Sequence, residues 1–348
     1  MKNKKIVCIN LIYYICMLSV AVIFVLGYFG VIESSYLSTF LIQGIVMFAI
    51  PIILYSLFVS KNVKQTFSDF GFKKISFTVL LCSIGLGFVL FFINNYVADV
   101  FYSVLSLLGY DNSINISLNT NTLVLNEFLL TAIIPGFCEE VLHRGMFLRG
   151  SSKQGYTRYG LLFSSILFGL MHLNIQQFFY AMILGALMGV VVIITDSIYP
   201  SMIIHFMNNA LSIYFSYGYY HNWPFTRFKA EIENSIFSLN FFAIISIICL
   251  VLFVLFALYK LLLSAIIRDK NKQMAIKLAK DLKMEEMTYP EMQDKLNEVE
   301  KVLEATSNQP VEIKNTKPQL KFVDNIFLYS SLVLGILITI SSFIWGVM

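Results

Sequence analysis

Charge is what this chain has least of. Asp, Glu, Lys and Arg make up 13% of it against 57% apolar residues, with a mean hydropathy of +0.74. A soluble globular chain carries about 25% charge, so the scarcity excludes a water-soluble enzyme. The net charge of +4 is small and spread over short breaks, which offers no basic surface to nucleic acid. Cys8, Cys16, Cys82, Cys138 and Cys249 lie in apolar stretches without metal-ligand spacing. Their odd number argues against a disulfide framework, and they read as small hydrophobes. Also missing are His-Glu-x-x-His, Gly-x-Ser-x-Gly, paired intramembrane aspartates, a glycine-rich phosphate loop and internal repeats. Common zincins and nucleophile-elbow hydrolases are thereby set aside, and a repeat-built transporter is disfavoured.

What is present is long apolar sequence. Candidate spans fall at 6–30, 36–60, 76–108, 123–148, 158–174, 176–196, 199–218, 236–265 and 323–347. They predict an all-α polytopic transmembrane bundle of about eight to nine spans in a lipid bilayer. The run that begins at Ile6 is longer than the h-region of a secretion signal and has no small-x-small site after it, so it reads as a retained helix. Lys2, Lys4 and Lys5, then Lys61, Lys64, Lys73 and Lys74, then Arg149, Lys153 and Arg158 occupy alternate breaks. That alternation predicts a multi-pass plasma-membrane protein with a cytoplasmic N-terminus. Arg227 and Lys229 dilute the pattern in an outer loop, beside Glu231 and Glu233.

The expected organisation is N-terminal helices over 1–122, a core over 123–217, then an outer loop and eighth span over 218–265. Residues 266–322 are the one sizeable polar region, read as a cytoplasmic helical hairpin and linker, either a tether or a docking element for a protein partner. A last span follows over 323–348.

The few charges inside apolar sequence then stand out. Glu139, Glu140 and Arg144 sit in the fourth span, where each charge costs about 2.5–3.5 kcal/mol at the bilayer centre. Glu140 and Arg144 are four apart, with the acid N-terminal, which is the favourable order on one helix face. Glu140 thus reads as support for Arg144. Glu139 points about 100° away and is the better carboxylate to act on water. His172 lies near one end of the fifth span, and His205 and Asn209 lie one turn apart on the seventh. Helical rise places Glu139 about 15 Å, His172 about 21 Å and His205 about 9 Å from the cytoplasmic ends of their spans. The depths put His172 as the hardest to bring in. A glutamate, two histidines and an asparagine suit peptide-bond hydrolysis: a base deprotonates water and donors stabilise the oxyanion. Two arrangements serve equally. Glu139, His172 and His205 can ligate Zn2+ with one open position, or Glu139 and His172 can activate water with no metal while His205 and Asn209 donate.

Glu139-Glu140-x-x-x-Arg144, Phe168-x-x-x-His172 and His205-x-x-x-Asn209 resemble, in order and spacing, the three motifs of the CAAX prenyl protease and bacteriocin-processing (Abi-type, CPBP) intramembrane endopeptidases. The resemblance covers 123–217. It implies a helical intramembrane protease whose site opens toward the cytoplasm. Glu139 would activate water, Glu140 and Arg144 would support it, and His172, His205 and Asn209 would complete the site. Such proteases are usually described as metal-dependent, and a metal-free glutamate mechanism is also proposed for them. The implied substrate is a membrane-bound, lipidated or prenylated peptide. The alternative within the same family is a non-proteolytic scaffold or bacteriocin-immunity protein. Intact motifs favour catalysis.

Overall fold

Long apolar stretches can satisfy their backbone polar groups in lipid only within helices. The computed structural model accordingly contains helices and turns, with no strand among the described residues. It describes residues 3–32, 35–111, 124–236 and 320–347, with scattered positions between 253 and 265. The eighth span over 236–265 lies largely outside the described residues, and so do Cys249 and all but the last residues of the 266–322 segment.

The helices are α1 (Lys4–Tyr28), α2 (Tyr36–Ser60), α3 (Val63–Phe70), α4 (Phe77–Leu107) and α5 (residues 124–153). They continue with α6 (Thr157–Met171), α7 (Ile175–Thr195), α8 (Tyr199–His221), α9 (Thr226–Ile236) and α10 (Ile326–Val347). Five helices are long and apolar enough to cross a membrane: α1, α2, α4, α7 and the last, Phe322–Ile344. The expected count of eight to nine therefore reduces, among the described residues, to five that qualify by length and composition. The shortfall has a physical cause. Spans four and seven form the long helices α5 and α8, whose apolar runs are interrupted by polar and charged residues of the expected site. Span five becomes α6, only 15 residues long.

Helix α5 is the spine of the site. Its turns widen to π-helical spacing over Phe128–Ile133 and again over Val141–Arg149, on either side of the tighter Ile134–Glu140. Pro135 begins that middle segment. A proline has no N–H and its ring crowds the preceding turn, so the helix accommodates it by widening. Gly136 follows. A Cβ there would lie 3.2 Å from the Phe206 backbone nitrogen, so the bare backbone lets α8 cross α5 one turn before the two glutamates.

Two polar clasps close one end of the bundle. Asn3 donates to Asp324, Asn10 donates to the Asp324 carbonyl, and the Tyr159 hydroxyl reaches both Asn10 and Asn325, tying α1, α6 and the start of α10 together. Arg149 and Lys73 both pair with Asp196, and the Arg149 Nε donates to the Asp69 carbonyl. At the other end Asn126 donates to the Tyr36 hydroxyl, and the Ile175 N–H donates to Ser342. The clasped end, the basic end, carries most of the lysines and arginines among the described residues.

Candidate active site

The two adjacent glutamates have different surroundings. Glu140 is fully buried. Its Oε1 accepts from Arg144 Nη1 at 2.8 Å and from His205 Nδ1 at 3.0 Å. Arg144 is also fully buried. Its Nη2 donates to the Gly185 carbonyl at 3.2 Å, and its guanidinium lies 4.2 Å above the Phe168 ring. An arginine in apolar surroundings thus has an anion, a carbonyl and an aromatic face. Glu139 instead lines a cavity of about 790 Å³, with 13% of its side chain exposed. Its Oε1 accepts from Gln43 Nε2 at 2.8 Å, and its Oε2 lies 3.9 Å from His205 Nε2.

His172 and His205 line the same cavity, so the histidine that helical rise made hardest to fit does reach the site. The hydrogen bonds set both tautomers. His172 Nδ1 lies 2.9 Å from the Phe168 carbonyl, and His205 Nδ1 faces the Glu140 carboxylate. Both partners accept, so in each ring Nδ1 carries the proton. A neutral imidazole then keeps a lone pair on Nε2. Phe168 is the shared platform. The rings of His143, His172 and His205 stand edge-on to it at centroid distances of 5.0, 5.2 and 5.6 Å.

Asn209 Nδ2 donates to the Thr131 carbonyl at 2.9 Å, and Asn209 Oδ1 accepts from Asn208 at 3.0 Å. Asn208 Oδ1 in turn accepts from Asn94 at 3.3 Å. This amide chain links α4, α8 and α5 along one wall.

Residues 121–211 match the family described as type II CAAX prenyl endopeptidase Rce1-like. Over that segment the chain is similar to the CAAX protease family. No curated protein and no solved structure matches it. The matched segment contains all six residues singled out by the motifs, and the fold places Glu139, His172, His205 and Asn209 in the lining of one cavity. It places Glu140 and Arg144 behind that lining.

The zinc arrangement of Glu139, His172 and His205 is not assembled. Among the described residues no three His, Cys, Asp or Glu side chains are grouped to hold a metal ion. His205 Nδ1 is bonded to Glu140, and its Nε2 lies 3.9 Å from Glu139 Oε2. Two ligands of a tetrahedral zinc at about 2.0–2.1 Å would stand about 3.3 Å apart.

Four residues escaped the motif reading. Gln43, on α2, donates to the Glu139 carboxylate and lies outside the Rce1-like segment. Asn94 and Asn208 extend the amide chain. His143 is fully buried, its Nδ1 3.3 Å from the Tyr13 hydroxyl, and that hydroxyl donates to the Leu167 carbonyl. Each is a polar side chain inside an apolar run, and that alone is a signal of function in membrane helices.

Proposed function

We propose that this chain is an intramembrane endopeptidase that hydrolyses a peptide bond in a membrane-associated substrate. One observation carries the reading: of two neighbouring carboxylates, one is locked away in an ion pair and the other faces the cavity beside an imidazole lone pair. Glu139 is the general base. It takes a proton from water, which attacks the scissile carbonyl. His205 stands 3.9 Å away with Nε2 toward Glu139 and relays that proton toward the leaving amine. Its bond from Nδ1 to Glu140 steadies the imidazolium formed on the way. His172 presents its own Nε2 to the same space and polarises the water. The second N–H of the Asn209 amide stabilises the tetrahedral oxyanion. Glu140 and Arg144 are positioning residues that hold His205 at the right tautomer and angle. Every step uses only side chains of this chain.

A prenylated peptide is the finer substrate proposal, supported by the match of residues 121–211 to the Rce1-like family. The deciding experiment compares wild type with Glu139→Gln, both purified in detergent, on quenched peptides with and without a farnesyl group, with zinc measured on the same samples. Hydrolysis by wild type and its loss in a folded Glu139→Gln establishes the protease. Stoichiometric zinc that is needed for turnover would replace the metal-free mechanism. A folded wild type inert on every peptide would favour the scaffold or immunity role.

A further inference from the structure

The side on which the cavity lies relative to the glutamates carries a consequence for what can enter it. On α5 its lining residues are Leu130, Thr131, Pro135 and Glu139, all in the half away from Lys153. On α7 they run from Gln176 to Leu184, away from Asp196. On α2 they run from Ser38 to Gln43, away from Lys61. On α8 they begin at His205 and extend to Ile213, again away from Asp196. Glu139 and His205 thus form a floor, and the cavity extends from them toward the end opposite the basic clasps.

Charge orients that axis. Lys4, Lys5, Lys61, Lys64, Lys73 and Lys74, with Arg149, Lys153 and Arg158, belong to the basic end. The far end has no base in the breaks at 31–35 and 109–122, and its Arg227 and Lys229 are accompanied by Glu231 and Glu233. Lysine and arginine in short loops mark the cytoplasmic side. The cavity's chemistry is a separate observation. Its wall carries the carboxamides of Gln43, Asn94, Asn95, Gln176 and Gln177 with the Asn208–Asn209 pair, and among the described residues neither lysine nor arginine. Carboxamides both donate and accept, as a peptide backbone does, and offer no counter-charge to a phosphate or carboxylate.

We propose that the site is loaded from the non-cytoplasmic face, and that its ligand is an extended, uncharged peptide segment of a translocated or surface-anchored chain. The peptide part rests on the hydrolase reading above; the loading face does not. A cytoplasmic opening is what the family resemblance implied, and the geometry points the other way.

The test is thiol labelling of the full chain in right-side-out and inverted membrane vesicles with a membrane-impermeant maleimide. Ser212→Cys reports on the cavity, since Ser212 lines it and is exposed, and Lys153→Cys reports on the basic end, where Lys153 is exposed. Gln177→Cys serves as a second cavity probe if Ser212→Cys does not fold. The background carries Cys8→Ser and Cys249→Ser and retains Cys16, Cys82 and Cys138, which are buried. The expected result is cavity labelling only in right-side-out vesicles and Lys153→Cys labelling only in inverted ones, each at least tenfold over the opposite orientation. Cavity labelling only in inverted vesicles overturns the proposal, as does no cavity labelling in either while Lys153→Cys reacts. An impermeant, uncharged quenched peptide added outside the same vesicles should be cut only in the right-side-out set. Cutting only in the inverted set also overturns it. No cutting in either set, with the labelling as expected, strikes the peptide ligand and the hydrolase reading together and leaves the loading face established.

Discussion

At the residue scale, the proposed roles divide between two glutamates by what each one touches: Glu140 an ion pair, Glu139 the cavity. Glu139→Gln keeps the shape and removes the base. Peptide hydrolysis should fall by about 10²–10⁴-fold, the usual contribution of general base catalysis, with thermal unfolding in detergent unchanged. Gln43→Leu is a subtler probe. It removes the 2.8 Å bond to Glu139, and a hydrogen bond to a charged group contributes about 1.5–3 kcal/mol. The expected loss in kcat/KM is about 10- to 100-fold, with the protein still folded; equal kcat/KM for Gln43→Leu and wild type would remove Gln43 from the site. Arg144 acts through stability. Arg144→Met leaves the Glu140 carboxylate buried without its ion-pair partner, which costs about 3–5 kcal/mol. The double variant Glu140→Leu/Arg144→Met removes both charges and should recover much of the loss. Unfolding midpoints of the two singles and the double measure the coupling.

At the element scale, close approach of helices depends on a few small residues. Gly185 sits where α7 meets α5 and α6. A Cβ there would lie 3.1 Å from Phe168 Cδ1 and 3.2 Å from Arg144 Nη2. Gly185→Ala should therefore cost about 1–3 kcal/mol of stability, read as a lowered unfolding midpoint. The Asp196 clasp joins the loop after α3, the end of α5 and the α7–α8 turn. Partial burial there acts to raise the Asp196 pKa, but Lys73 and Arg149 outweigh it and hold the carboxyl below its usual 3.8. A depressed carboxyl stabilises the fold above its unfolded pKa and loses that contribution as pH falls through the folded value. The clasp should thus contribute fully at neutral pH and fade only below about pH 3.8. Asp196 is 47% exposed, so solvent screening keeps the effect under about 1 kcal/mol. An Asp196→Asn variant should show a slightly lower unfolding midpoint than wild type at pH 7, and the gap should narrow as pH falls below 3.8.

At the scale of the whole molecule, residues at opposite ends of the chain share one polar network. Asn10, fully buried, donates to the Asp324 carbonyl and accepts from Tyr159. Replacing it with leucine strips both partners of that bond, which costs about 1–3 kcal/mol and loosens α1 from α10. Because α1 also carries Tyr13, whose hydroxyl reaches His143 and the Leu167 carbonyl just before Phe168, the effect should extend to the site wall. Hydrogen exchange would show faster opening across α1, α6 and α10 together, whereas a purely local defect would leave α6 unchanged.

Composition and hydropathy determined that this chain is helical and membrane-embedded, because lipid leaves the backbone no other choice. Helical spacing was enough to pair Glu140 with Arg144, since four residues on one helix is a local fact. The order of three polar motifs located the family. What sequence could not give was anything that depends on which helices touch. Glu140 turned out to hold His205 as well as Arg144, and Gln43, Asn94 and Asn208 joined the site from positions with no motif around them. Five helices among the described residues qualify as spans by length and composition, and polar residues in α5 and α8 and the short α6 keep the rest of the expected eight to nine from qualifying on those criteria. Only the tertiary structure decided that His172 lines the same cavity as Glu139, that no three metal-ligating side chains are grouped among the described residues, and that the cavity lies on the side of Glu139 away from the basic end. Those are matters of helix crossing and side-chain direction in three dimensions, to which spacing along one chain is blind.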